Sequence, residues 1–193
     1  MKKLLIAIAW AAGAASPLLS AEAYKIAVIP KGTTHEFWKS INAGAVKAQR
    51  ELAAEGVNVQ VIWKGPLKED DRENQIQVVE NFVAQRVSGI VLAPLDRRAL
   101  VGPVETAVRG KIPVVVVDSG LESKVQSSFV ATDNREGGRI AARNLGKILG
   151  GRGNVIMLRY MVGSASTEER EDGFLEVMKK DFPEIKLIST DQH

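Results

Sequence analysis

Residues 89–120 read GIVLAPLDRRALVGPVETAVRGKIPVVVVDSG. Two segments of this stretch, GIVLAP at Gly89–Pro94 and PVVVV at Pro113–Val117, are continuous apolar runs with no polar alternation. A strand that is apolar on both sides is buried on both faces, which is the habit of parallel sheets covered by helices. Between the runs, Asp96 is placed to cap a helix that Gly110 ends. Strand, helix and strand in succession, with both strands buried, predict a parallel pair joined by a crossover helix.

The same unit recurs upstream. YKIAVIP at Tyr24–Pro30 reads as a buried strand. Thr33 and Glu36 have the spacing of a capping box. Phe37, Ile41, Ala45, Ala48 and Leu52 then recur at helical intervals, giving one apolar face that Gly56 stops. Val57 to Trp63 reads as a second strand, followed by the turn Lys64-Gly65-Pro66, with Asp70 capping a helix that carries Ile76, Val79 and Val83. Downstream, a short apolar segment at Phe129 to Ala131 precedes a helix from about Asn134 to Leu149, which a glycine-rich break closes. Asn154 to Leu158 reads as a strand. Ser166 and Glu169 form another capping box, Phe174, Val177 and Met178 face the next core, and Lys186 to Ser189 is one more strand. The expectation is an α/β fold of two lobes, each a parallel sheet with helices on both faces. The alternation restarts after Asp133-Asn134, so the first lobe is assigned to 24–133 and the start of the second to 134–193. The sequence closes at Gln192-His193 with no helix to cover that last strand, so the second lobe is expected to be incomplete and the chain a fragment.

Residues 1–23 are not read as fold. Met1-Lys2-Lys3 is followed by an apolar run from Leu4 to Leu19 and a small-x-small site at Ala21-Glu22-Ala23. These are the three parts of a cleaved secretory signal peptide. The run is shorter than the roughly 20 residues of a membrane span. The sequence contains no cysteine, so lipid anchoring is excluded and the product is expected free in the periplasm.

Composition narrows the chemistry. Of 193 residues 45% are hydrophobic and 25% charged, with 26 Lys plus Arg against 23 Asp plus Glu, a net charge of +3. That excess is too small and scattered for a nucleic-acid partner. Two histidines and no cysteine leave little for a metal site or a nucleophile–histidine pair. No phosphate-binding glycine loop and no G-x-S-x-G elbow occurs. The expectation is a non-enzyme with no cofactor and no metal.

Position then picks out the site. Ligands of open parallel sheets bind beyond the carboxyl ends of the strands. There the sequence puts Lys31 to Trp38, Trp63 to Pro66, Pro94 to Asp96 and Asp118-Ser119-Gly120. Phe37 and Trp38 are adjacent at a helix start, and one helix stripe cannot bury both. Asp118 ends an apolar strand, where a carboxylate has no packing role. An aromatic ring opposite a carboxylate suits a sugar: the ring covers C–H groups and the carboxylate accepts from two hydroxyls. Plainer readings stand beside these. Phe37 also fits a core position, Asp118 a turn, Lys31 a solvated surface and His35 a neutral hydrogen bond or simple exposure.

At these residues the chain resembles the type I periplasmic binding proteins, the ribose-binding group that serves ABC transporters. The likeness runs from Tyr24 to about Ser189. It rests on Lys25 to Pro30, His35-Glu36-Phe37-Trp38, Gly89 to Pro94, Ile112 to Asp118, Thr132-Asp133-Asn134 with Gly137-Gly138, and Gly163 through Glu169-Arg170 to Gly173-Phe174. The resemblance implies an exported binding protein that captures a small polyhydroxylated ligand between two lobes and delivers it to an inner-membrane permease. It implies an aromatic pair at Phe37 and Trp38, a hydroxyl-binding carboxylate at Asp118, a second-lobe arginine at Arg170, a hydrogen-bonding group at His35 and a hinge near Asp133 and Asn134. Ser119 stands where ribose binders often carry arginine. Ile29-Pro30-Lys31 with Gly65-Pro66, and Asp118-Ser119, are similar to the relatives that bind autoinducer-2, which keeps that signal as an alternative ligand. A sensing role with a chemoreceptor or sensor kinase is a further alternative. The effector domain of a repressor shares the fold, but a signal peptide occupies the place of its DNA-binding segment.

Overall fold

The computed structural model describes residues 23–192. The leader assigned to residues 1–23 lies outside them except for Ala23, as does His193. The elements in chain order are β1 (Tyr24–Ile29), α1 (Glu36–Ala54), β2 (Val59–Trp63), α2 (Arg72–Ala84), β3 (Gly89–Leu92), α3 (Val101–Arg109), β4 (Val114–Val117), β5 (Ser128–Val130), α4 (Asn134–Ile148), β6 (Arg152–Leu158), α5 (Ala165–Asp181) and β7 (Glu184–Gln192).

The first five strands form one parallel sheet in the order β2-β1-β3-β4-β5. Its side chains divide by the period of two. Ala27, Ile29, Ile90, Leu92, Val114 and Val116 face α2 and α3, in a core with Val79, Phe82, Leu100 and Val104. Val28, Val91 and Val117 point to the opposite face, where α1 lies and Ile41 and Ala45 share a groove with them. The unbroken apolar runs therefore reflect one face packed under α2 and α3 and a second, partly open face beside α1. The second sheet pairs β6 with β7 in parallel. Val155, Ile185 and Leu187 pack there against Ala142 and Leu145 of α4 and Phe174, Val177 and Met178 of α5. Among the described residues this sheet carries helices on one face, and Ile156, Leu158 and Ile188 are exposed on the other.

Several helix starts differ from the expected caps. The N-cap of α1 is His35, whose Nδ1 accepts from the Phe37 N–H at 3.2 Å. Thr33 stands two residues too early and its hydroxyl donates to the Pro66 carbonyl instead. Asp71, not Asp70, caps α2. Asp96 does cap a turn, accepting from the Arg98 and Ala99 N–H groups, but α3 begins five residues later. At α5 the N-cap is Ser164, and Glu168 rather than Glu169 takes the preceding Gly163 N–H.

In a sheet of this order successive strands are added to one side of β1 and then to the other, and the crevice opens at this switch between β1 and β3. Gln75 of α2, fully buried, fixes both rims. Its amide donates to the carbonyls of Pro30 and Ala93, each at 2.9 Å, and accepts from the Leu95 N–H. The loops that carry the site are thus tied to the core and to each other.

Candidate functional site

A cavity of about 430 Å³ lies between the carboxyl edge of the five-stranded sheet and the N-terminal turns of α5. That volume is within the range of small-molecule pockets, about 300–1,000 Å³. The structure brings Lys31, His35, Phe37, Trp38, Asp118 and Arg170 to its wall. Glu69, Tyr160, Ser164, Ser166 and Thr167 complete it.

The aromatic pair divides its labour. Trp38 is buried and its indole N–H donates to Glu69 Oε1 at 2.6 Å. Phe37 is 48% exposed and meets Trp38 edge to face at 4.9 Å between centroids. Trp38 is therefore the clamped member and Phe37 the open one. Tyr160, at the end of β6, closes the same corner by a hydrogen bond to Glu69; burial and the Glu69 charge hold its phenol above the ordinary value.

Asp118 follows β4 with φ of 63°, a left-handed backbone that Asp tolerates better than most residues. The turn is closed by the Ser119 N–H, which donates to the Val117 carbonyl at 2.6 Å. A γ-turn with positive φ is rare and strained, and strain of this kind gathers at sites that require a fixed side chain. Here it turns the carboxylate off the strand axis toward the cavity. Asn134 braces it from behind, its amide donating to the Asp118 carbonyl at 3.4 Å.

Lys31 is 3% exposed, and its ammonium is occupied. It donates to Ser164 Oγ and Ser166 Oγ at 3.0 Å each and lies 3.2 Å from Asp118 Oδ2. An ammonium has three N–H donors, and three acceptors surround it. Burial pushes the Lys31 amine below its ordinary value, against the opposing pull of Asp118. Arg170, by contrast, is exposed, and its guanidinium makes no hydrogen bond or ion pair among the described residues, so it is open to a ligand.

Ser119 departs from its expected place. It is fully buried behind the wall, and its hydroxyl accepts from the Ser166 N–H at 3.0 Å across the cleft. The tight turn at Asp118 points consecutive side chains apart, so only one of the two reaches the cavity. His35 lines the cavity, but its Nδ1 is spent on the α1 cap, so a neutral ring carries its proton on Nε2. Asp133 and Asn134 begin α4, with Asp133 Oδ1 accepting from the Glu136 N–H at 2.9 Å. Glu69, Tyr160 and Thr167 were not singled out from the sequence. Glu69 and Tyr160 do follow β2 and β6, so the strand-end rule covers them. Among the described residues no cluster of three metal-binding side chains occurs.

Comparison with known proteins then decides the relationship. The periplasmic binding protein domain family matches residues 26–193. The chain belongs to that family. The D-ribose/D-allose-binding protein of Pseudomonas aeruginosa is 29% identical over 171 residues, which are 86% of this chain and 52% of that protein. A carbohydrate transporter solute-binding protein from Agrobacterium radiobacter, solved with D-arabinose, superposes with a TM-score of 0.80 at 36% identity, covering 88% of this chain and 57% of the other. A second, from Agrobacterium vitis with bound D-fucose, gives 0.78 at 32% identity, covering 88% and 57%. These relatives are sugar-binding proteins, and the structural neighbours share the two-lobed type I fold. The chain spans about half the length of the curated relatives it matches.

Proposed function

We propose that this chain is the ligand-capturing part of an exported sugar-binding protein, one that holds a pentose or hexose between its lobes and passes it to an ABC permease. The observation that carries the reading is the composition of the cavity. A half-exposed phenyl ring, a carboxylate on a strained turn and a guanidinium with no partner among the described residues meet in about 430 Å³. Stacking suits the C–H face of a sugar ring, and the two charged groups suit its hydroxyls. In this reading Phe37 and Trp38 form the stacking wall, Asp118 accepts hydroxyls, Arg170 and His35 donate, and the division into lobes falls at Asp133-Asn134, which serve as the hinge. Export follows from the leader at residues 1–23, and no step of chemistry on the ligand is assigned. The relatives named for ribose, allose, arabinose and fucose support a small polyhydroxylated ligand. The autoinducer-2 alternative rests on Ile29-Pro30-Lys31 with Gly65-Pro66 and on Asp118-Ser119; of these, the Lys31 donors are engaged with Ser164, Ser166 and Asp118.

Saturation-transfer NMR on the full chain with a panel of pentoses, hexoses and polyols tests this. At least one sugar is expected to give signal. Asp118→Asn, which keeps a residue tolerant of the turn, and Arg170→Ala are each expected to weaken it about tenfold or more, since a hydrogen bond to a charged group is worth about 1.5–3 kcal/mol. Absence of signal across the panel, or unchanged affinity in both variants, overturns the assignment.

A further inference from the structure

The N-terminus of α5 is capped in an unusual way. Ser164 is its N-cap residue, yet the Ser164 hydroxyl makes no cap hydrogen bond. It accepts from the Lys31 ammonium instead. The N–H of Ser166, in the first turn, is satisfied by Ser119 Oγ from the other lobe. The first turn of a helix has N–H groups with no partner of its own, and a cap that satisfies them stabilises the helix start. Here the cap is supplied from across the cleft. The neighbouring backbone joins in: the Arg97 N–H donates to the Gly163 carbonyl at 2.9 Å and the Arg97 guanidinium meets Glu168 at 2.5 Å. Every one of these second-lobe partners lies between Gly163 and Glu168.

We infer that Lys31 and Ser119 are positioning residues: together they form a latch that seats the start of α5 on the first lobe and thereby places Arg170 opposite Asp118. The inference rests on the sugar-binding reading only for its consequence, because the latch itself is made wholly of protein groups. Its donors and acceptors balance. Lys31 supplies three N–H bonds to Asp118, Ser164 and Ser166, and Ser119 supplies the acceptor that Ser164 gives up. When the lobes part, the buried ammonium loses two of its acceptors and α5 loses its cap in the same movement. The latch also holds Asp118 by one oxygen, Oδ2, and so orients the carboxylate. A ligand would then meet a site whose two lobes already favour the closed arrangement, which lowers the ordering cost of binding.

Two variants of the full chain separate this from a direct ligand contact: Lys31→Met, and the double change Ser164→Ala with Ser166→Ala. The first readout needs no sugar. Small-angle scattering of the ligand-free chain is expected to show a larger radius of gyration in both variants than in the wild type, with circular dichroism verifying that each is folded. An unchanged radius in the serine variant, which removes only two hydroxyls, overturns the latch even if Lys31→Met does not fold. The second readout is a double-mutant cycle on the affinity for whichever sugar binds. The latch predicts that the combined variant binds no more weakly than Lys31→Met alone, within about twofold. Multiplying effects would assign Lys31 to the ligand and overturn the inference. Failure of the whole sugar panel would overturn the proposed function and leave the scattering comparison to decide the latch.

Discussion

Lys31 shows how one side chain can be costly and still indispensable to an arrangement. Its amine is drawn below the ordinary lysine value chiefly by desolvation, and Asp118 and Glu69 offset this while Arg170 adds to it. The sign of the consequence follows. A folded value below that of the unfolded chain means the unfolded chain binds more protons in the window between them, so stability rises as pH climbs toward the ordinary value near 10.5. The wild type is therefore expected to gain thermal stability relative to Lys31→Met as pH is raised through that window. Melting curves of both proteins at several pH values verify it, and a difference that stays flat contradicts it. A buried pair of this kind contributes geometry more than stability. None of this was legible in the sequence. The composition exposed Lys31 as a cation at a strand end, but its serine partners are 133 and 135 residues away and the partner of Ser119 is 47 away. Asp118 was legible because a carboxylate ending an apolar strand has no packing role.

At the scale of elements, the closest fit in the molecule is between α4 and α5. A Cβ at Gly138 would run into the Arg170 carbonyl, and one at Gly173 into the carbonyl of Arg135. The two glycines are reciprocal: each lets one helix backbone approach the other. Arg135 and Arg139 then reach Glu176 along the exposed flank of the same contact. Because the obstacle at Gly138 is the backbone of Arg170 itself, the packing of α4 fixes where the guanidinium starts. Gly138→Ala is expected to lower stability by about 1–3 kcal/mol, the usual cost of overpacking. It should also weaken sugar binding without touching the cavity. Gly137→Ala is the internal control. Nothing lies within 4 Å of its added methyl, and alanine replaces glycine in a helix at a gain of up to about 1 kcal/mol. Thermal melts of the pair measure the contrast, and equal melting temperatures would refute this account of the interface. The strands were readable because their apolar runs leave no alternative period. Three of the caps lie one or two residues from their expected places and that of α3 lies four away, at Leu100, because side chains near each start have other partners: Thr33 donates to the Pro66 carbonyl, and Asp96 closes its own turn.

At the scale of the whole molecule, affinity is set by how many groups surround the ligand. Micromolar binding requires about 8 kcal/mol. Asp118 and Arg170 contribute about 1.5–3 kcal/mol each as charged partners, and ring stacking on the Phe37–Trp38 pair adds about 1 kcal/mol. With a neutral hydrogen bond from His35 adding about 1 kcal/mol, the mid-range values of these terms still fall short of the micromolar requirement. Glu69 is engaged with Trp38 and Tyr160, and the Lys31 donors are filled, so neither adds a strong new bond without losing one. The latch reduces the ordering cost but adds no contact to the sugar. The full chain is therefore expected to bind its preferred sugar with a dissociation constant well above 1 µM. Chemical-shift titration reads that range directly. A constant at or below the micromolar level would mean that the cavity presents a strong ligand group beyond Asp118, Arg170 and the aromatic wall. Glu69, released from Trp38 on binding, would be the first residue to substitute in search of it.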